Sequence, residues 1–567
     1  MISNSSDYDD GGNKIDPDVG KAKSADEEPA RKSAATVLVE QAVKLYDLGV
    51  SADGEPYALP RTGPRLVRML RGSRTSLRAQ LAREYFTATG KAAPQQALAD
   101  ALLVLEGQAL DCDPKPPHLR VADHGGRTYL DLGDSTGRAV EVDATGWRIV
   151  DFPPVLFRRV LTAPLPEPAR GGGLAGLWEL LNVAQADRPL VLAWLVAAMA
   201  PEIPHPILGL FGEQGVGKTT AAKVLALLLD PTSAPVRKAP RDAESWITAA
   251  SGSWCVALDN LSMMPDWLSD ALCRAVTGDG DVRRRLYTDG ELFVFAFRRC
   301  LIVTGIDLGA VRGDFADRLL PVDLHLIGEH DRAEEHDLWA GWADRHALLL
   351  GALLDLAASV KAVAPSVRLA SRPRMADFAR VLAAVDIVCD TKGLDRYREK
   401  AGELAVDSLT GDPFVTSIST AISEKFTGTS AELLALVTPK GEEPWRAPKG
   451  WPANPRAVTQ LLRRQAPVMR RAGWSASELP AGHANALRWE LTPPPPREAR
   501  KQGSQGSQRS QPASDASEAS HEYGPTQDDG RPTGAGIGPC SAGCDRTTRK
   551  YGDGSTGPLC AGCRAAS

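Results

Sequence analysis

The stretch ILGLFGEQGVGKTTAAKVLALLL, beginning at Ile207, constrains this chain more than any other. The apolar run Ile207 to Phe211 reads as a strand. It leads into Gly212-x-x-x-x-Gly217-Lys218-Thr219, and Ala222, Leu225, Leu228 and Leu229 then recur at the spacing of one helix face. Strand, glycine loop and helix in that order are the frame of a phosphate-binding P-loop. Glycines let backbone N–H groups wrap an anion, the helix N-terminus adds its dipole, Lys218 reaches the β- and γ-phosphate oxygens, and Thr219 offers a hydroxyl to Mg2+. ATP is thus expected against Gly212, Glu213, Gln214, Gly215, Val216, Gly217, Lys218, Thr219 and Thr220. Strand-like and helix-like segments alternate through 205–330, which predicts an α/β parallel-sheet core there.

Two more strands complete the expected site. WCVALDN ends in Asp259 and is expected beside the P-loop strand, where Asp259 holds Mg2+ through its water shell; an ordinary strand-end aspartate is the alternative. RRCLIVTG ends at Thr304, a polar side chain placed to sense the γ-phosphate. VRGDFADRLLPVDL then offers Arg312 and Arg318. Arg318 is either a structural partner of Asp314 or Asp317, or an arginine finger acting on the nucleotide of a neighbouring subunit.

Between those strands lies VRRRLYTDGELFVFAFRR, residues 282 to 299. A two-residue turn at Asp289-Gly290 predicts a hairpin in which Thr288 pairs with Glu291, Leu286 with Phe293 and Arg284 with Phe295. That register puts Arg283, Arg284 and Arg285 at the hairpin base. Arginines on an exposed edge also block aggregation, so a solvated hairpin competes with a DNA-gripping one.

The order of P-loop, ALDN, CRAVTGDGDVRRRLY, FVFAFRRCLIVTG and DFADRLLPVDL resembles the ATPase module of phage and plasmid primase-helicases, the superfamily 3-like branch of the AAA+ ATPases. The resemblance implies ATP hydrolysis around Lys218, Asp259, Asn260, Thr304 and Arg318. It also implies a homo-oligomeric, hexameric ring and a basic hairpin gripping single-stranded or forked DNA in the pore. Asn260 departs from the family, where an acid follows the strand-end Asp, and Thr304 stands where Asn is frequent. An amide orients water but accepts no proton, although phosphoryl transfer rests mostly on positioning and charge stabilisation. The N-terminal region shows no primase acidic cluster. The function implied is an ATP-dependent DNA motor, a replicative helicase of a mobile element with host replication proteins as partners. The alternative, favoured by Asn260, is an ATP-switched DNA-binding or assembly factor that does not unwind DNA. A small-molecule kinase would need an acceptor pocket that the sequence does not display.

The rest of the 567 residues divides by composition. Residues 1–34 lack apolar periodicity and are expected to be disordered. Residues 35–165 suggest a mixed α/β domain opening with a helix over SAATVLVEQAVKLYDLG, and 166–204 a helical segment. Helices are expected over 331–400, a winged-helix-like domain over 401–492, a disordered linker over 493–537 and a zinc knuckle or ribbon over 538–567. In the winged-helix region, Arg446 to Trp474 carries Arg456, Arg463 and Arg464 among its basic residues and no acid, with Asn454 capping a helix whose apolar stripe is Val458, Leu461 and Leu462. DNA contact competes there with a solvated basic face. RTGPRLVRMLRGSRTSLRAQLAR, with seven arginines and no acid, poses the same choice. In the tail, Cys540-x3-Cys544 and Cys560-x2-Cys563 have the spacing of a four-thiolate Zn2+ site, with disulfides as the alternative. Cys112, Cys255, Cys273, Cys300 and Cys389 read as small hydrophobes. A net charge of −5 gives no global sign of a nucleic-acid binder, and the run PLVLAWLVAAMA is too short to span a bilayer. A soluble cytoplasmic protein is expected, with no membrane partner.

Overall fold

The structure, a computed structural model, describes residues 32–71, 76–261, 264–278, 280–284, 292–305, 313–328, 330, 332–439, 446–448, 450–480, 487–495, 537–539 and 547–549, with backbone alone at 280–284, 292–296, 537–539 and 547–549. It divides into Met1–Pro496 and Arg497–Ser567. Most of the expected disordered N-terminus and linker, and all four tail cysteines, lie outside the described residues.

Ser33 starts the first helix, α1 (Ala34–Leu45), by accepting a hydrogen bond from the Thr36 amide. The helix expected to continue through Gly49 stops at Leu45, because Tyr46–Val50 (β1) pairs antiparallel with Pro56–Pro60 (β2). A Cβ on Gly49 would fall 2.7 Å from the Tyr57 ring, so this pairing needs glycine there. β3 (Arg68–Met69) extends the sheet, and α2 (Leu77–Thr89) and α3 (Gln95–Leu110) close a small core around Leu38, Leu77, Leu81 and Leu105.

After β4 (Pro117–His118) comes an antiparallel meander of β5 (Val121–His124), β6 (Arg127–Asp131), β7 (Ala139–Asp143) and β8 (Gly146–Val150), then β9 (Leu156–Phe157), which pairs with β4. The residues 35–165, expected as one domain, therefore supply two cores. Val121, Leu130, Val140 and Trp147 belong to the large central core, where β7 and β8 contact the helix Glu335–Val363, rather than to the core of α1 to α3.

Two helices, α4 (Leu177–Leu180) and α5 (Arg188–Ala197), the latter apolar and buried from Pro189 onward, lead into the nucleotide-type core. Its elements are β10 (Ile207–Phe211), α6 (Lys218–Leu229), β11 (Val236–Lys238), α7 (Ala243–Ser251), β12 (Cys255–Asp259), α8 (Asp266–Thr277), β13 (Gly280–Arg284), β14 (Leu292–Ala296), β15 (Cys300–Thr304), α9 (Gly313–Ala316) and β16 (Leu319–Asp323). The main sheet is parallel with order β11-β12-β15-β10-β16. The strand ending in Asp259 is therefore not beside the P-loop strand, as the sequence suggested; β15 lies between them. All five residues of β15 are buried, the pattern required of a strand flanked on both sides and covered on both faces.

The hairpin β13–β14 also departs from expectation. Arg284 pairs with Leu292 and Arg283 with Phe293, whereas the two-residue turn had paired Arg284 with Phe295. The paired strands begin at Gly280 and Ala296, next to the core, so Arg283 and Arg284 sit at the far end of the ladder rather than at its base. Arg285 lies outside the described residues, as does Arg312.

The long helix α10 (Glu335–Val363) buries Leu349, Leu350, Leu353 and Leu354 in the central core. With the turn after it, 335–366 is long and apolar enough to cross a membrane by length and composition, but 56% of its apolar window is buried in the protein. No side chain larger than hydrogen fits at Gly351, where the Ala169 carbonyl crosses the helix.

α11 (Ala376–Cys389) and α12 (Gly393–Thr410) follow. The C-terminal core then comprises α13 (Pro413–Ala421), β17 (Phe426–Thr429), α14 (Ser430–Val437), α15 (Pro455–Arg471), β18 (Ser475–Leu479) and β19 (Arg488–Thr492), with antiparallel sheet order β17-β19-β18. α12 crosses the boundary drawn at residue 400, because Ala405 and Leu409 are buried in this core. Asn454 caps α15 by accepting from the Ala457 amide, and Val458, Leu461 and Leu462 are buried beneath it. In the second unit, β20 (Ile537–Pro539) and β21 (Thr547–Arg549) pair antiparallel.

Candidate nucleotide site and nucleic-acid surfaces

Gly212, Gly215 and Gly217 hold φ of 141°, 85° and 81°, values an L side chain rarely adopts, and this lets the loop curl between β10 and α6. Gly217 makes no side-chain cap to α6, so the first-turn amides are open to an anion. Lys218 Nζ folds over the loop and donates to the Gly212 carbonyl at 2.8 Å and the Glu213 carbonyl at 2.6 Å.

The sheet order brings three strand ends together. Thr219 Oγ1 donates toward the Asp259 carboxylate, 2.9 and 3.1 Å from its two oxygens. Thr304, at the end of the intervening strand, donates to Asp259 Oδ1 at 2.5 Å and accepts from the Asn260 amide at 2.9 Å. A hydroxyl and a carboxylate side by side are hard oxygen donors that fit Mg2+, so the chemistry of the site suits that ion. Asn260 is exposed with φ 56°, in the left-handed region that Asn tolerates better than Glu. Among the described residues no group of three or more His, Cys, Asp or Glu forms a metal cluster.

Arg318 lies at the opposite end of its strand. Its guanidinium pairs with Asp314 at 2.6 Å within the same chain, and its side chain is only 11% exposed. Asp314 also pairs with Arg374 at 2.8 Å. Asp317, 9% exposed, pairs with Arg374 and with Arg471 at the end of α15. This run of charges joins α9, the approach to α11, and α15. The Arg318–Asp314 pair is the structural alternative that the sequence offered for Arg318, whereas nothing local in the sequence links Asp317 to Arg471.

On α15, Arg463 is held by Glu478 through two hydrogen bonds of 2.9 and 2.8 Å, and Arg470 donates to the Ala476 carbonyl. Arg456 and Arg464 are exposed and form no ion pair with a described residue. In the N-terminal basic stretch, Arg61 pairs with Asp47 and Arg71 with Glu106, so part of its charge is neutralised locally. Cys255, Cys273 and Cys300 are buried, and burial pushes all three thiols above their usual range.

Residues 174–407 match the profile of a family described as the Actinomycete integrative conjugative element replication protein, and 414–508 match the C-terminal domain of the same protein, AICE RepA. Together the matches span more than half of the chain. The chain belongs to this family of replication proteins. The first RepA match contains the whole P-loop core through α11, and the second contains α13 through β19. No curated protein matches the chain. Among solved structures it is similar to the apo C-terminal region of NrS-1, at 10% identity over 82% of this chain and 100% of that one, with a TM-score of 0.35. It is also similar to Cch of SCCmec type IV, described as an active helicase, at 11% identity over 66% and 77% with a TM-score of 0.37. A third is the JCV helicase, at 13% identity over 41% and 64% with a TM-score of 0.22. Likenesses at these scores carry no activity across to this chain.

Proposed function

We propose that the chain is an ATP-dependent DNA motor, a helicase-like ATPase that serves replication of a mobile element as a ring of several copies on single-stranded or forked DNA. The observation that carries this reading is the convergence of Lys218, Thr219, Asp259 and Thr304 at the ends of β12, β15 and β10. The P-loop amides and Lys218 hold the phosphates, and Thr304 fixes the Asp259 carboxylate toward Thr219. The exposed Asn260 amide orients water. Bound Mg2+, held by Thr219 and Asp259, supplies neutralising charge on the triphosphate.

Arg318 cannot serve its own site. Leu319 pairs with Ile207, while the P-loop starts beyond Phe211, which pairs with Asp323. The gap is about 13 Å at ~3.3 Å per strand residue, longer than an arginine side chain. A finger role therefore requires a second copy, and Arg318 must leave Asp314 to perform it. Arg283 and Arg284, at the far end of the described ladder, are proposed to meet DNA, which would account for the basic character of this strand pair. The helix and sheet order of 413–492 fits a winged helix whose α15 presents Arg456 and Arg464 to the DNA backbone. Cys540, Cys544, Cys560 and Cys563 are proposed as a Zn2+ site of the tail, and the protein as cytoplasmic.

A second reading, the ATP-operated assembly switch, is favoured by Asn260 and by the engagement of Arg318 within its own chain. Mixing separates the two. Lys218→Ala and Arg318→Ala proteins are each expected to be inactive, and their mixture to regain part of the hydrolysis, because some interfaces then pair an intact P-loop with an intact finger. No recovery from a mixture of two folded proteins would favour the switch.

A further inference from the structure

The segment that follows β16 does not leave the site. The Leu324 amide donates to the Phe211 carbonyl at 2.9 Å, tying it to the end of the P-loop strand. On its other side it is anchored to the stretch before α5: the His325 amide donates to the Asn182 carbonyl at 3.0 Å, and the Asn182 side chain returns a bond to the His325 carbonyl. Three of its described residues lie against the phosphate loop. A Cβ on Gly212 would lie 2.9 Å from the Leu324 carbonyl oxygen, one on Gly217 3.5 Å from Ile327 Cδ1, and one on Gly215 3.6 Å from Arg332 Nη2. One segment thus touches three glycines of the loop, and its last contact is a guanidinium.

Resting on the nucleotide-site reading, we propose that Leu324, Ile327 and Arg332 form the second wall of the site, with Arg332 binding the nucleotide's phosphates in its own chain and Ile327 closing the loop beside Gly217. Arg332 is exposed and forms no ion pair with a described residue. A cation held beside a phosphate-wrapping loop is placed to meet charge that Lys218 and Mg2+ leave over, and the guanidinium fork suits a pair of phosphate oxygens. Leu326 is 66% exposed next to the half-buried Ile327, so an apolar surface borders the polar loop, the combination a flat base and a polyphosphate require together. Arg332 differs from Arg318 in kind: it faces the P-loop of its own chain, whereas Arg318 sits a strand length away from it.

Calorimetric titration of the full-length protein with ATP in Mg2+ tests this. Arg332→Ala is expected to weaken ATP binding about ten-fold, the loss of one charge-assisted contact. It should also flatten the salt dependence of the Kd and leave the unfolding midpoint of the ligand-free protein unmoved. Arg332→Lys is expected to recover part of the affinity, since it restores charge but not the fork. If Arg332→Ala binds ATP within two-fold of the parent while Lys218→Ala does not bind, the second wall is wrong and the nucleotide site stands. If Lys218→Ala binds ATP as the parent does, the nucleotide site fails and this inference fails with it.

Discussion

Arg120 and Asp230 show what single residues do here that no local pattern announces. They stand 110 positions apart, both are almost wholly buried, and their 2.8 Å contact joins the β5–β8 sheet to the end of the P-loop helix. Asp230 also accepts the amides of Trp254 and Cys255, so one carboxylate fixes three segments around the sheet. Asp230→Ala would leave Arg120 as an uncompensated buried charge and is expected to cost about 3–5 kcal/mol, read as a lowered denaturant midpoint. A loss below about 1 kcal/mol would mean that water reaches the arginine. The P-loop residues were legible because phosphate chemistry fixes both their identity and their spacing. Asp259 and Thr304 were legible as strand ends, but their direct contact was not, since it depends on which strands are neighbours. Asn260 gains a local reason from the fold: its φ of 56° suits Asn, at the position where the family resemblance led to an acid being expected. Arg332 carried no sequence signal, because only the path of the chain after β16 brings it to Gly215.

At the scale of elements, presence was easier to read than partnership. The strands, the P-loop helix and the capped α15 follow from periodicity and caps, which are local. Strand order is not local, and β15 entered between β12 and β10 because its wholly buried sequence belongs at the centre of a parallel sheet. The hairpin register failed for the same reason. Asp289-Gly290 favours a tight turn, yet the ladder is set from Gly280 and Ala296, and pairing is described only as far as Arg284 with Leu292. The observed register moves Arg283 and Arg284 to the end of the described ladder away from Gly280 and Ala296. Replacing Arg283, Arg284 and Arg285 together with alanine is expected to leave basal ATP hydrolysis standing while removing its stimulation by single-stranded DNA and reducing the salt dependence of DNA binding. Unchanged stimulation would assign the hairpin to solvent. α1 ends before Tyr46 because Tyr46–Val50 is decided by pairing with β2, a long-range contact that the apolar spacing of Leu45 and Leu48 does not reveal.

At the scale of the molecule, the described part of Met1–Pro496 is several cores joined by polar contacts, and the Asp317 link to Arg374 and Arg471 ties the C-terminal core to the ATPase-type sheet. Two buried histidines contribute most clearly to its pH response, and His118, also lowered by burial, acts in the same direction. Burial pushes His205 and His346 down to about 4, so both stay neutral in the fold while the unfolded chain takes up protons at the ordinary value of 6.5. Stability is therefore fully present above pH 6.5 and is lost as pH falls toward 4, by up to about 1.4 kcal/mol per pH unit for each group. Denaturant titrations at pH 7 and 5 check this, and His346→Phe, which keeps a ring against Trp342, should show the smaller loss. The family assignment places the chain in replication, while the motor itself rests on the site. The ATPase rate of the purified full-length protein, with and without single-stranded DNA and beside Lys218→Ala, tests that most directly. The account predicts hydrolysis that rises with DNA and disappears in Lys218→Ala; hydrolysis that is absent, or indifferent to DNA, would contradict it.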